Sequence, residues 1–474
     1  MTSVRAPAAA GRFYPDGTKE LSDEVDRLLS GAPRDVPDGE VLGALVPHAG
    51  YPYSGPTAAR VYRALRGLDF ETVVVLGAPH REPSTGLCLD ACSSYRTPLG
   101  EVAVDTDLVE ALRGRPDVTV SHRAHAEEHS IEVQLPFLQK VLPSAKLVPI
   151  VTAAPDAAKA RALGRILAGA LKGRKALLLV SSDLSHFPSQ ADSRRVDPAC
   201  LEACSGLDPE YFLLASRAIM DLHVRNLQCA CCGEGAVATA LAALSELGAD
   251  RFQNLEYRSS ADTGGEPERV VGYGAALFTR TGKPRGGDLF TLSPEDKARL
   301  LALARGALET YLKTRREPRA AVFDEPRLNL PCGVFVTWWL RGPGGRRSLR
   351  GCVGATHAEK TLGNAAAHYA LVAATEDPRF DGIRADELDR LVCEVSVLSP
   401  MSPSAFDDVR PGVGVMLSAE GRRGLFLPEV WEHLPGKDEF LGELCSQKMG
   451  LPHDAWKGAG FEVFTFRTQS FEED

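Results

Sequence analysis

Short, uniformly apolar runs alternate with longer alanine- and leucine-rich stretches across the first 280 residues. Val41–Val46, Thr72–Leu76, Leu147–Val151 and Ala176–Val180 are too short for helices and leave no polar face, so the pattern predicts strands buried on both sides. Between them Pro56–Leu65, Ile131–Leu142, Ala157–Leu171 and Gly235–Leu247 are spaced as helices. This alternation predicts an α/β fold, with helices flanking a largely parallel sheet. In such folds ligands bind beyond the carboxyl ends of the strands.

The pattern breaks at Thr279–Leu289, a Gly-rich, basic stretch containing Pro and without apolar periodicity. It predicts a linker, placed at 281–292, between a first domain (1–280) and a second (293–474). Ser293 has the character of an N-cap, followed by Pro294 and by Glu295 and Asp296 in the first turn, which predicts a helix to about Leu312. Gly333–Leu340 and Leu391–Leu398 are expected strands, and Lys360–Thr375 an expected helix.

With 474 residues, two or three cores are expected. A net charge of -9 gives no electrostatic footprint for nucleic acid or an anionic membrane. No run reaches the roughly 18 apolar residues that span a bilayer, and Met1–Tyr14 lacks an apolar signal-peptide core, so a cytoplasmic location is expected. Eleven cysteines in a reducing compartment are expected to be thiols.

The predicted strand ends carry the candidate chemistry. The first ends in Pro47-His48-Ala49-Gly50-Tyr51, the second in Ala78-Pro79-His80 and the fourth in Ser181-Ser182-Asp183-Leu184-Ser185-His186, while Cys231-Cys232-Gly233 precedes a later helix. Parallel neighbours would bring these histidines to one rim, where imidazole and thiolate suit divalent Fe, Zn or Cu. A hydrogen-bonded structural role is the ordinary alternative for any one such histidine. His125-Ala-Glu-Glu-His129 also matches an H-x-x-E-H pattern, which would make a zinc metalloprotease through His125 and His129. Pro136 interrupts the helix that follows, which argues against it.

Together these segments resemble the Memo family. Gly11-Arg12-Phe13-Tyr14-Pro15, Pro47–Tyr51, Ser54-Gly55, Gly77–His80, Glu128–Pro136, Ser182–His186 and Cys232-Gly233 fall in the family's order over residues 5–280. The resemblance implies the fold of class III extradiol dioxygenases, with iron, most expectedly Fe(II), or copper held by His48, His80 and Cys232; zinc is a further candidate. Cys232 would replace the carboxylate ligand of the dioxygenases. His186, Asp183 and His129 would line the cavity as catalytic residues, with His186 as acid–base. The implied function is a non-haem iron oxidoreductase; a non-catalytic, metal-stabilised binding or scaffold protein is the alternative.

The second half resembles the AMMECR family, through Leu349-Arg350-Gly351-Cys352-Val353-Gly354 and the segment from Thr361-Leu362 to Asp377-Pro378-Arg379-Phe380. This implies a smaller α+β domain. Arg350 and Cys352, in a Gly-flanked segment whose glycines permit close approach of a ligand, are a candidate second site. The resemblance also implies a radical-SAM protein of the same AmmeMemoRadiSam system as partner. For Arg350 the residues alone favour a structural ion pair.

Overall fold

The computed structural model describes residues 3–283, 291–356 and 359–474. Part of the expected linker, 284–290, lies outside the described residues. The chain divides into two units: Met1–Leu289 with Val322–Leu330, and Phe290–Ala321 with Pro331–Asp474. Among the described residues no helix is long and apolar enough to cross a membrane.

The first unit contains the strands β1 (Val4–Arg5), β2 (Glu40–Val46), β3 (Thr72–Gly77), β4 (Gly86–Leu89), β5 (Ser94–Thr97), β6 (Gly100–Ala103), β7 (Val118–Val120), β8 (Lys146–Ala153), β9 (Ala176–Ser181), β10 (Arg251–Ser259) and β11 (Gly272–Arg280). Its main sheet has the order β10-β11-β2-β9-β3-β8-β4-β7, and β1, β5 and β6 form a small second sheet. The four central strands β2, β9, β3 and β8 are mutually parallel, as their uniform apolarity predicts. The margins are mixed: β11 runs antiparallel to β2, and β4 antiparallel to β8.

Register is what matters for the site. Val46 lies opposite Ser181, and Ser181 opposite Gly77, so three parallel strands end abreast. Ala157–Leu171 forms a helix with the expected limits, and Glu234–Glu246 matches its expected span within a residue. The helix after β2 starts earlier than expected, at Tyr51: Pro52 sits in its first turn, where amides lack partners, and Pro56 lies inside the helix. The expected helix Ile131–Leu142 is two pieces, His129–Glu132 and Leu135–Val141. Pro136 is at the start of the second piece, where proline is tolerated, so it begins a new helix.

The second unit contains β12 (Gly333–Arg341), β13 (Arg347–Ala355), β14 (Leu391–Leu398), β15 (Ser402–Ser404), β16 (Gly414–Ala419), β17 (Arg422–Phe426), β18 (Glu462–Phe466) and β19 (Thr468–Glu472). They form two antiparallel sheets, β13-β12-β14-β19 and β15-β18-β16-β17. The helix Pro294–Thr314 begins at Ser293, whose hydroxyl accepts from Asp296 N while the Asp296 carboxylate accepts from Ser293 N. It packs with the helix Leu362–Thr375 beside the first of these sheets. A separate core holds Trp431 stacked on Phe440 at 3.8 Å.

The expected boundary at 293 needs one correction. Val322–Leu330, downstream of the first helix of the second unit, belongs to the first. Leu330 is 2% exposed within the first unit's core. Arg327 Nε donates to Glu202 at 2.8 Å, and Asn329 Nδ2 donates to the Arg195 carbonyl. We predict that Leu330→Ala weakens the first unit by about 2–5 kcal/mol, the usual cost of emptying a buried leucine site. Hydrogen exchange should then quicken in the helix Gln190–Cys204 and leave β12 and β14 unchanged; equal quickening in both units would contradict the assignment.

Candidate metal centre

The three abreast strand ends deliver the site. Two residues beyond Val46, His48 is 2% exposed, its amide held at 2.7 Å by Asp183 Oδ1 and its Nδ1 3.1 Å from Ser181 Oγ. Three residues beyond Gly77, His80 is fixed twice by Glu128, whose carboxylate accepts from its amide at 2.7 Å and meets its Nδ1 at 2.9 Å. Gly77 is required here because a Cβ would lie 2.4 Å from Ser130 Oγ. That close approach lets the segment 128–130 settle against the end of β3.

This segment supplies a third imidazole. One ligand atom from each of His48, His80 and His129 falls within 4.8 Å of the others. Their ring centroids are 4.5 to 5.3 Å apart, and the Phe13 ring lies 4.5 Å from that of His129. Cys232 lies beside His48 and is not one of the residues whose ligand atoms all fall within 4.8 Å of one another. Its Sγ is 3.2 Å from His48 Nε2 and accepts from the Asp183 amide at 3.3 Å. Gly233 permits this, since a Cβ there would meet Ser182 Oγ at 2.8 Å.

Burial sets the charge state. Desolvation, reinforced by the neighbouring His80, lowers His48 from 6.5 to about 3. Desolvation and then His48 lower His129 to about 3. Burial alone would raise Glu128, but its hydrogen bond and attraction to His80 outweigh that and hold it at about 2. Asp183 is raised by burial to about 6, and burial drives the Cys232 thiol well above its ordinary value. His48 and His129 are thus neutral imidazoles beside a protonated thiol.

His186 is near this group, interacting electrostatically with Asp183 and His80, and burial lowers its proton affinity. Its Nε2 is buried without a hydrogen-bond partner, and so is Nδ1 of His129. Glu128 Oε1 lies 3.3 Å from that Nδ1 without making a hydrogen bond. Unsatisfied buried nitrogens are costly, and a metal or substrate atom would satisfy them. The donor set of imidazole nitrogen and cysteine sulfur therefore fits a borderline metal such as iron, zinc or copper and is a poor match for magnesium or calcium.

Residues 5–277 match the family model of the Memo-like proteins. The chain belongs to the Memo family. A MEMO1 family protein of Pyrobaculum aerophilum is 36% identical over 287 residues, covering 58% of this chain and 99% of the relative. One from Methanosarcina mazei is 34% identical over 277 residues, covering 58% and 98%. Residues 301–471 match the AMMECR1 family model, so this Memo-family chain carries both regions. The crystal structure of an uncharacterized protein of Pyrococcus horikoshii is 34% identical and covers 39% of this chain and 95% of that one, with a TM-score of 0.35.

The Memo motifs acquire physical roles. Glu128 orients His80, His129 faces the site, and Glu132 is an enclosed carboxylate that receives Arg5 and Tyr14. Composition and spacing gave no hint of the parts played by Glu128 and Phe13; the carboxylate one residue before His129 was the available signal for the first. The protease pattern does not form. His125 and His129 fall in separate short helices, His122–Ala126 and His129–Glu132. The His125 ring is buried, with Nδ1 3.0 Å from the Tyr95 hydroxyl and Nε2 2.9 Å from the Cys88 carbonyl.

In the AMMECR1 region, Arg350 is held in an ion pair with Glu387. It donates to Glu387 at 2.8 and 3.0 Å and to the carbonyls of Asp381 and Gly382. The Cys352 amide donates to Asp377 Oδ2 and its carbonyl accepts from Arg379, so the Asp377-Pro378-Arg379 turn covers the open edge of β13. Gly351 fits only as glycine, because a Cβ would sit 2.0 Å from the Ala373 carbonyl. Both motifs are engaged in building the domain.

Acid should expose the strain of keeping the imidazoles neutral. His48 and His129 have folded values below the ordinary 6.5, so from about pH 6.5 down to 3 the unfolded chain binds protons that the folded chain refuses. Stability of the metal-free protein is therefore lost as pH falls through that window. Asp183, raised from 3.8 to about 6, works in the opposite sense between those values. His48→Gln should remove up to about 1.4 kcal/mol per pH unit of the slope. Urea titrations at several pH values check this; an unchanged slope would mean His48 titrates freely.

Proposed function

We propose that the Memo-like unit is a non-haem iron oxidoreductase, with the metal held by His48, His80 and Cys232. The observation that carries this is the meeting of His48 Nε2 and the Cys232 thiol at 3.2 Å, His48 being also a member of the cluster it forms with His80 and His129. Bound iron would supply one-electron and dioxygen chemistry. The chain's residues would do the rest. His186, with an unpartnered buried Nε2, would take a proton from a substrate and return it. Asp183 secures the His48 backbone and, beside His186, favours the protonated imidazole once formed. Phe13 covers His129 and limits water at that face. Cysteine in the place of a carboxylate makes the ligand set softer, which favours chemistry other than catechol ring cleavage. The AMMECR1 region would serve as the docking unit for a radical-SAM protein.

A second reading, a metal-stabilised binding module, has the three-histidine convergence in its favour, since three imidazoles suit zinc equally well. The two are separated on full-length protein purified without oxygen. The oxidoreductase reading expects about one iron per chain, oxygen uptake above the free-iron background, and strong iron loss in His48→Ala, His80→Ala and Cys232→Ser. Iron kept in Cys232→Ser and lost in His129→Ala would transfer the third position to His129. Zinc alone, with no oxygen uptake, would leave the binding module.

A further inference from the structure

We infer that Ser181 and Gln134 are positioning residues that fix the tautomer of His48, leaving its Nε2 lone pair free for the metal. The inference rests on the metal-site reading above and adds to it two residues that touch no metal. It follows from counting protons in a closed buried network. Ser181 and Gln134 are 0% and 1% exposed, out of reach of bulk solvent.

Gln134 Nε2 is 2.9 Å from the Pro47 carbonyl, which can only accept. The amide nitrogen must therefore be on that side, and the Tyr62 hydroxyl, 2.8 Å from Oε1, donates to the opposite end. The second Gln134 N–H points to Ser181 Oγ at 2.9 Å. The Ser181 hydroxyl is 2.6 Å from the Ser130 carbonyl, another pure acceptor, and its single proton is committed there. Toward His48 Nδ1, at 3.1 Å, Ser181 can only accept. Nδ1 of the neutral ring thus carries the proton, and Nε2 presents its lone pair to Cys232 Sγ. In the metal-free protein the thiol donates to Nε2; a metal held there would require that thiol proton to be released to solvent.

At His80 the partner of Nδ1 is a carboxylate, which only accepts, so this nitrogen too carries a proton. Glu128 is an ionised carboxylate and receives the Nδ1 proton. Nδ1 of both rings is therefore held as a donor by different means, one by a carboxylate and one by a hydroxyl relay. Partners of this kind orient metal-bound imidazoles, and their loss lowers metal affinity by about 10- to 100-fold.

Long-range proton–nitrogen NMR on the metal-free, full-length protein tests the assignment directly, with His48 identified by its absence in His48→Gln. The expected result is a His48 ring protonated at Nδ1 alone. In Ser181→Ala the Nε2–H form should appear, and iron affinity should fall about 10- to 100-fold; Ser181→Thr, which keeps the hydroxyl, should restore both. Wild-type His48 protonated at Nε2 would overturn the inference, and this result needs no variant to fold. An unchanged tautomer and affinity in a folded Ser181→Ala would do so as well. If wild type shows the expected tautomer but takes up no metal, the metal-site reading fails while the relay stands.

Discussion

The enclosed carboxylate of Glu132 receives hydrogen bonds from Arg5 Nη1, the amides of Ala8 and Ala9, and the Tyr14 hydroxyl. The same arginine donates to the carbonyls of His125 and Glu128. Both side chains are almost wholly buried, at 1% and 0% exposed. Removing one partner would strand the other's charge, at a cost of about 3–5 kcal/mol. This pair decides where residues 125–134 lie, and therefore where Glu128, His129, Ser130 and Gln134 stand. The N-terminal segment is in this sense part of the site: Phe13, one residue before Tyr14, rests on His129.

On this anchor two geometries meet. One is the level ending of β2, β9 and β3, a consequence of parallel pairing in register. The other is the pair of short helices, His129–Glu132 and Leu135–Val141, whose break turns His129 toward the strand ends and Gln134 toward Ser181. Neither alone makes a site. Together they enclose imidazoles in a volume too dry for them to be charged, which is the state in which nitrogen binds metal.

The strand ends were legible because uniformly apolar runs in an alternating α/β pattern leave little choice of fold, and His48, His80 and Asp183 follow such runs directly. Cys231-Cys232 stood out as a pair before a helix, but only the family resemblance singled out Cys232, and its place beside His48 depends on packing of Gly233 against Ser182, which no local pattern encodes. The break after Glu132 was hidden because Ile131–Leu142 keeps helical spacing; the buried hydrogen bonds of Glu132 and Gln134 override that periodicity. Val322–Leu330 was missed for a different reason. A short run with Pro, Asp and Arg resembles a loop, and its place in the first unit depends on Arg327 and Asn329 finding partners more than a hundred residues upstream. For Arg350, a structural ion pair was the simpler expectation, and Glu387 supplies it.

The central claim is that imidazoles and the Cys232 sulfur share one metal. X-ray absorption at the iron edge of the anaerobically loaded, full-length protein tests it most directly, because sulfur scatters differently from nitrogen and oxygen. The account predicts one sulfur neighbour together with at least two imidazoles, and loss of the sulfur signal in Cys232→Ser. A shell of oxygen and nitrogen alone in the wild-type protein would contradict it.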